Sequence, residues 1–169
     1  MSEDTRIAES IAKNGWHAIG VPASAASPSF LYTIGLSSEM SHSEIIVCGL
    51  QPRHAYELLR RLIARIRSGA RYAPNQIISD LIEGCRFAFR SVHPTQHIKW
   101  MGYAMAYYRR LGNPSLLSAV QLLWSDDDGR LPFEETCDPG VVAQQPRLDR
   151  PIPVEELDAF IDRFGKKPT

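Results

Sequence analysis

Residues 52–67, PRHAYELLRRLIARIR, carry Ala55, Leu58, Leu59, Leu62, Ile63 and Ile66 at spacings of three and four. That spacing puts six apolar side chains on one stripe of a helix, and a stripe so wide has to be buried against another element. The partner is readable just upstream. FLYTIGL (30–36) alternates Phe30, Tyr32, Ile34 and Leu36 with Leu31, Thr33 and Gly35, and EIIVCGL (44–50) is a continuous apolar run. With WHAIGV (16–21) before them, these segments read as three short strands in an antiparallel meander, a sheet on which the helix can lie.

The rest of the chain repeats this mixture without a βαβ rhythm. Ile7, Ala8, Ile11 and Ala12 mark a short helix ending at Asn14-Gly15, and the Ala-, Ser- and Pro-rich stretch 22–28 is a loop. Residues 75–84 read as a short strand or an irregular turn, CRFAFRSV (85–92) as a half-exposed strand and AVQLLW (119–124) as another. After His93-Pro94-Thr95 the stretch QHIKWMGYAMAYYRR reads as one helix. Ile98, Met101, Met105 and Tyr108 form one stripe, and Trp100, Tyr103 and Tyr107 form a second, which suits burial or an aromatic face offered to a ligand. Residues 131–152 look irregular, and Pro153 starts a last amphipathic helix, 153–164, with Gly165 as its terminator. The expected class is α+β: a largely antiparallel sheet of five or six strands covered by amphipathic helices, in a single domain spanning 1–169.

Composition narrows the function. Lys plus Arg and Asp plus Glu are 19 each, so a protein that coats nucleic acid or an anionic membrane is not expected. The arginines on the 52–67 helix, opposed by Glu57 alone, read as a solvated face. Cys48, Cys85 and Cys137 are odd in number and widely spaced, which excludes a complete disulfide framework and a cysteine-dominated zinc site. No apolar stretch approaches the roughly 20 residues of a membrane span, and the N-terminus has no signal-like core. The expected setting is a reducing cytoplasm.

Few residues offer chemistry. In an extended segment His42 and Glu44, two apart, would share a face, where imidazole and carboxylate could converge on a water or a metal. They are the catalytic candidates, against the plainer reading of a polar cap on a strand. A zinc deaminase would also need P-C-x-x-C, which the chain lacks. A metal site would need distant groups such as His17, His42 and Glu44; no metal and no cofactor are expected. Asp126-Asp127-Asp128-Gly129 resembles the start of a calcium loop, but its twelfth position is Cys137 rather than a glutamate, so it reads as an acidic turn. Nucleophile-elbow, phosphate-loop and dinucleotide patterns are missing.

Taken in order, GWHAIGVP (15–22), FLYTIGL, HSEIIVCGL (42–50), DLIEG (80–84) and QLLWSDDDGRLPF (121–133) resemble the bacterial domain-of-unknown-function family 4262, from about residue 15 to 147. Where the family usually has H-P-E and W-P-D, this chain has His42-Ser43-Glu44 and Trp124-Ser125-Asp126. The resemblance therefore keeps His42, Glu44, Trp124 and Asp126 and replaces two prolines by serine. It implies a small cytoplasmic bacterial α+β domain and no activity. A fainter likeness of YTIGLS to Suppressor-of-fused-like strands suggests an interaction or immunity module.

Two functions are expected from these readings. The favoured one is a binding or interaction module for a protein or small molecule, in a conflict (immunity-like) or regulatory system, with His17, Thr33, Trp124 and Asp126 at its binding edge. The alternative is a small hydrolase-like or metal-assisted enzyme. In it His42 is base or ligand, Glu44 orients it, and His17, Thr33 and Asp126 frame the substrate.

Overall fold

A computed structural model describes residues 1–164. Its centre is a six-stranded sheet built from β1 (His17–Val21), β2 (Phe30–Ile34), β3 (Glu44–Cys48), β4 (Ile77–Ile78), β5 (Phe87–Ser91) and β6 (Ala119–Trp124), in the order β1-β2-β3-β6-β5-β4. The meander β1-β2-β3 is antiparallel, as are the pairs β4-β5 and β5-β6. Only β3 and β6 run parallel, with Glu44 opposite Ala119. A parallel pair needs a long crossover, supplied here by everything between residues 48 and 119. The class is α+β with a mostly antiparallel sheet, as the sequence implies.

Strand alternation sorts the core into two layers. Leu31, Ile45, Val47, Phe89 and Leu122 face α3 (Pro52–Arg67), whose apolar stripe is fully buried on them. Tyr32, Ile46 and Cys48 face the other way. There they meet Ile7 and Ile11 of α1 (Glu3–Asn14), Met101 at the junction of α4 (His97–Trp100) and α5 (Gly102–Arg110), and Ala104 and Tyr108 of α5. All five positions of β3 are buried, which is why the four residues after Glu44 are apolar without alternation.

Three local expectations change. The strand expected over 30–36 ends at Ile34, because Gly35 has φ +111° and starts α2 (Leu36–Glu39). A Cβ at Gly35 would lie 3.0 Å from the Gly15 carbonyl oxygen and 3.1 Å from Ile11, so side chains are excluded by conformation and by space. The helix expected over 96–110 is broken: a 3-10 turn and α4 end at Met101 (φ −133°), and α5 begins at Gly102. The broken turn leaves the Tyr103 N–H free to donate to the Tyr32 hydroxyl, at 3.2 Å. Within 131–152, expected to be irregular, Pro139–Ala143 forms α6, capped by the Asp138 side chain on the Gly140 amide.

The last helix, α7 (Val154–Phe164), is present, while the terminator expected at Gly165 lies outside the described residues. No helix among the described residues is long and apolar enough to cross a membrane.

Candidate functional site

His42 and Glu44 do not converge. Ser41 adopts φ +52° just before them, so the segment is not extended and the rule of alternation fails at this point. The His42 ring lies on the α3 side of the sheet, against Tyr72, which stacks on Phe89. Glu44 points to the opposite side and meets Tyr108 of α5. The sheet separates the two groups.

Both groups are also fully engaged. His42 Nδ1 donates to the Ser43 carbonyl at 2.7 Å, and Nε2 accepts from the Tyr72 amide at 3.0 Å. An acceptor-only partner on one nitrogen and a donor-only partner on the other fix a single neutral tautomer. Burial, with Arg71 nearby, holds the imidazole below its ordinary pKa. No ring nitrogen is left to take a substrate proton or bind a metal. His42 stitches the 70–73 loop to β3.

Glu44 is 0% exposed and accepts five hydrogen bonds. Thr33 Oγ1 (2.9 Å) and the Leu36 amide (3.0 Å) donate to Oε1. The Gly35 amide (3.1 Å), the Ser37 amide (3.4 Å) and the Tyr108 hydroxyl (2.5 Å) donate to Oε2. The carboxylate thus organises the β2–α2 turn, and that is the physical reason why β2 stops at Ile34. Burial pushes its pKa up to about 7, against the pull of Tyr108, Thr33 and the amides.

A raised folded pKa has a definite sign. The folded protein keeps a proton that the unfolded chain loses above about 4.5, so this stabilisation is complete below that pH and lost as pH rises through about 7. The shift corresponds to about 3 kcal/mol. Thermal denaturation is expected to show stability falling between pH 5 and pH 7.5, and Glu44→Gln is expected to flatten that slope. An unchanged slope in the variant would assign it to other groups.

The remaining sequence candidates are dispersed. Thr33 Oγ1, besides donating to Glu44, accepts from the Ile45 amide at 2.9 Å and is completely buried. His17 sits on β1, its Nε2 3.4 Å from Glu3 of α1. Asp126 accepts from the amides of Arg130 (2.8 Å), Asp128 (3.0 Å) and Asp138 (2.9 Å). The Arg130 amide leads these bonds in holding its carboxyl below the usual range. Trp124 is half-buried at the sheet end, its indole N–H donating to the Cys48 carbonyl at 2.8 Å, while Gln145 bonds its backbone N–H and carbonyl. These residues make turns and ties, and the structure does not bring His17, Thr33, Trp124 and Asp126 to one edge. Among the described residues no three His, Cys, Asp or Glu side chains stand close enough to hold a metal. Three arginines of α3 are held in ion pairs: Arg60 and Arg61 pair with Glu57, and Arg65 with Asp80.

Open space lies instead over the edge of the β1-β2 ribbon. Ile19 stands opposite Tyr32 and Val21 opposite Phe30, giving an apolar floor. Phe30 packs edge-on against Trp100, centroids 4.8 Å apart, and Tyr103 of α5 rises beside them, 44% exposed. Phe160 and Ile161 of α7 form the far wall, and the open groove measures ≈ 790 Å³. Lys99 and Arg109 stand at its rim. Lys99 Nζ bonds Glu156 of α7 at 2.8 Å.

Sequence reasoning saw part of this groove in the Trp100-Tyr103-Tyr107 stripe. Two of those rings, Trp100 and Tyr103, line it, but Tyr107 and Tyr108 of α5 are buried and do not. The β1-β2 floor was missed. Its signal is the cross-strand pairing of large apolar residues on a ribbon next to the edge.

The sequence matches the family described as Domain of unknown function (DUF4262) over residues 10–138. The chain belongs to this family. No curated protein matches it, and no solved structure does. The DUF4262 match takes in the whole sheet, α2 to α5 and the Glu44 cage, and stops before α6 and α7. The far wall of the groove is therefore built by chain outside the DUF4262 segment.

Proposed function

We propose that this DUF4262 protein is an interaction module whose groove receives an acidic amphipathic helix of a partner protein. The observation that carries the reading is the way α7 lies there. This helix presents Phe160 and Ile161 to the groove and Glu156 to Lys99, with Glu155, Asp158 and Asp162 on the same segment. An aromatic floor with a cationic rim complements such a helix, and helix-in-groove binding lays an apolar helix face into a hydrophobic groove of this kind. Space of ≈ 790 Å³ beside Phe160 and Ile161 leaves room for larger side chains than α7 brings. Arg109 makes no ion pair among the described residues and is available to a partner carboxylate.

Three free cysteines, two of them buried, suit a reducing cytoplasm. The alternative, an enzyme working through His42 and Glu44, has no comparable support: one group is held as a neutral tautomer, the other is caged, and they lie on opposite sides of the sheet. Conflict or regulatory systems employ modules of the proposed kind, and that setting belongs to the proposal.

A fluorescein-labelled peptide with the sequence of residues 151–164, titrated into the full chain, tests the reading. Phe160→Ala with Ile161→Ala, which weakens the competing α7, is expected to raise peptide affinity about tenfold. Tyr103→Glu is expected to abolish binding, and Lys99→Glu to weaken it about fivefold. Affinity indifferent to Tyr103→Glu would place the peptide elsewhere and end the proposal.

A further inference from the structure

β1 is an outer strand of the sheet, with β2 on its inner side only. The hydrogen-bond phase shows which of its backbone groups face out. The Gly49 N–H donates to the Ser29 carbonyl at 2.7 Å, so residues 29, 31 and 33 bond towards β3. Residues 30, 32 and 34 therefore bond β1, through Val21, Ile19 and His17. Ala18 and Gly20 turn their N–H and carbonyl groups outward, and among the described residues no hydrogen-bond partner meets them. Natural sheets blunt a free edge with Lys, Pro, a bulge or a very short strand. β4, at the opposite edge, has two residues. β1 has five in unbroken register, HAIGV, with none of these devices, and its two outward positions carry the smallest side chains.

This free edge leads into a pocket of ≈ 420 Å³ at its N-terminal end, between Ser10 and Asn14 of α1 and Tyr56, Arg60 and Arg67 of α3. The edge stops there: Ser10 Oγ donates to the Trp16 carbonyl at 3.2 Å, and Arg67 Nη2 crosses to the Asn14 carbonyl. Arg60 is held by Glu57 and His17 by Glu3, whereas Arg67 has no carboxylate partner among the described residues. Tyr56, 46% exposed, stacks on Trp16 with centroids 5.6 Å apart.

We infer that the β1 edge and Arg67 receive the C-terminal end of a partner protein as an added antiparallel strand. Main-chain bonds to Ala18 and Gly20 supply the pairing, as in other strand additions. Antiparallel pairing brings the free C-terminal carboxylate to Arg67, whereas a parallel strand would bring an ammonium group there. An internal segment would run on into the tie between Arg67 and Asn14. With the last residue opposite His17, the one before it pairs with Ala18. Its side chain then lies on the α3 side, where Tyr56 stands, and an apolar residue suits that place.

Fluorescence polarisation of the full chain with fluorescein-labelled GGTVTVT tests the inference, beside the same peptide as its C-terminal amide. The free acid is expected to bind saturably and the amide about tenfold more weakly. N-methylation of the last valine removes the donor to the Ala18 carbonyl and is expected to abolish binding. N-methylation of the threonine before it touches an N–H that faces away from β1, and a change of about twofold at most is expected. Arg67→Gln is expected to make acid and amide bind alike, which a merely structural loss would not do. Ala18→Pro, tolerated on an outer strand whose N–H points away from the sheet, is expected to abolish binding. Should that variant not fold, the two N-methylated peptides decide the matter on the intact chain. No saturable binding of the free acid, amide binding equal to it, or equal effects of the two N-methylations would overturn the inference.

Discussion

Glu44→Ala is expected to lower folding stability by about 4 kcal/mol, the scale reached when one member of a buried polar set is removed. The loss arises from what stays behind: the amides of Gly35, Leu36 and Ser37 and the hydroxyls of Thr33 and Tyr108 all point at the vacated carboxylate. Each buried donor left unsatisfied costs about 1–3 kcal/mol, and water entering the gap recovers part of the sum. Glu44→Gln is expected to be milder, about 2 kcal/mol, because an amide still offers one acceptor while turning its NH₂ towards donors. Urea denaturation at pH 8.5, where Glu44 is ionised, measures both. A Glu44→Ala protein as stable as the parent would mean that the cage is not structural.

The second large effect is expected at Gly49, which ends β3 with φ +87°. A Cβ there would lie 2.7 Å from the Gln144 Cβ and 2.8 Å from the Gln144 carbonyl oxygen, so the chain at 144–145 has to move. That chain holds Trp124 through Gln145, and Trp124 in turn bonds the Cys48 carbonyl, so the displacement reaches the end of the sheet. Gly49→Ala is expected to cost about 3 kcal/mol, combining a disfavoured backbone conformation with overlap. Gly112→Ala is the control. Its φ is +76° and nothing lies within 4 Å of the added carbon, so about 1 kcal/mol is expected there. Equal losses at the two positions would remove crowding from the explanation.

The fold was legible where one period ran long enough to show. The six-residue stripe of α3 and the apolar run Ile45–Cys48 of β3 each correspond to an element buried on the sides that the pattern requires, whereas β2 is buried on both faces despite its alternation. The parallel β3-β6 pair was not legible, since no local pattern distinguishes which strand fills the gap beside β3. The break at Met101 was marked only by Gly102, and a single glycine within an apolar helical pattern is a weak signal.

The site was read less well, for a physical reason. His42 and Glu44 stood out because polar groups beside apolar runs suggest chemistry, yet a buried polar group that organises a turn produces the same string of letters. What separates the readings is the partner set: Tyr72, Tyr108 and the α2 amides lie 30, 64 and about 8 residues away in sequence, so no local pattern announces them. Thr33 and Asp126 misled in the same manner. The groove was half visible through Trp100 and Tyr103, but its floor requires knowing that Ile19 faces Tyr32 and Val21 faces Phe30.

The most direct measurement is amide chemical-shift mapping of the 151–164 peptide on the full chain carrying Phe160→Ala and Ile161→Ala. The account predicts saturable shifts confined to the β1-β2 floor and to α4–α5, centred on Tyr32, Trp100, Tyr103 and Met105. Shifts centred on the arginine face of α3, or none at saturating peptide, would contradict it.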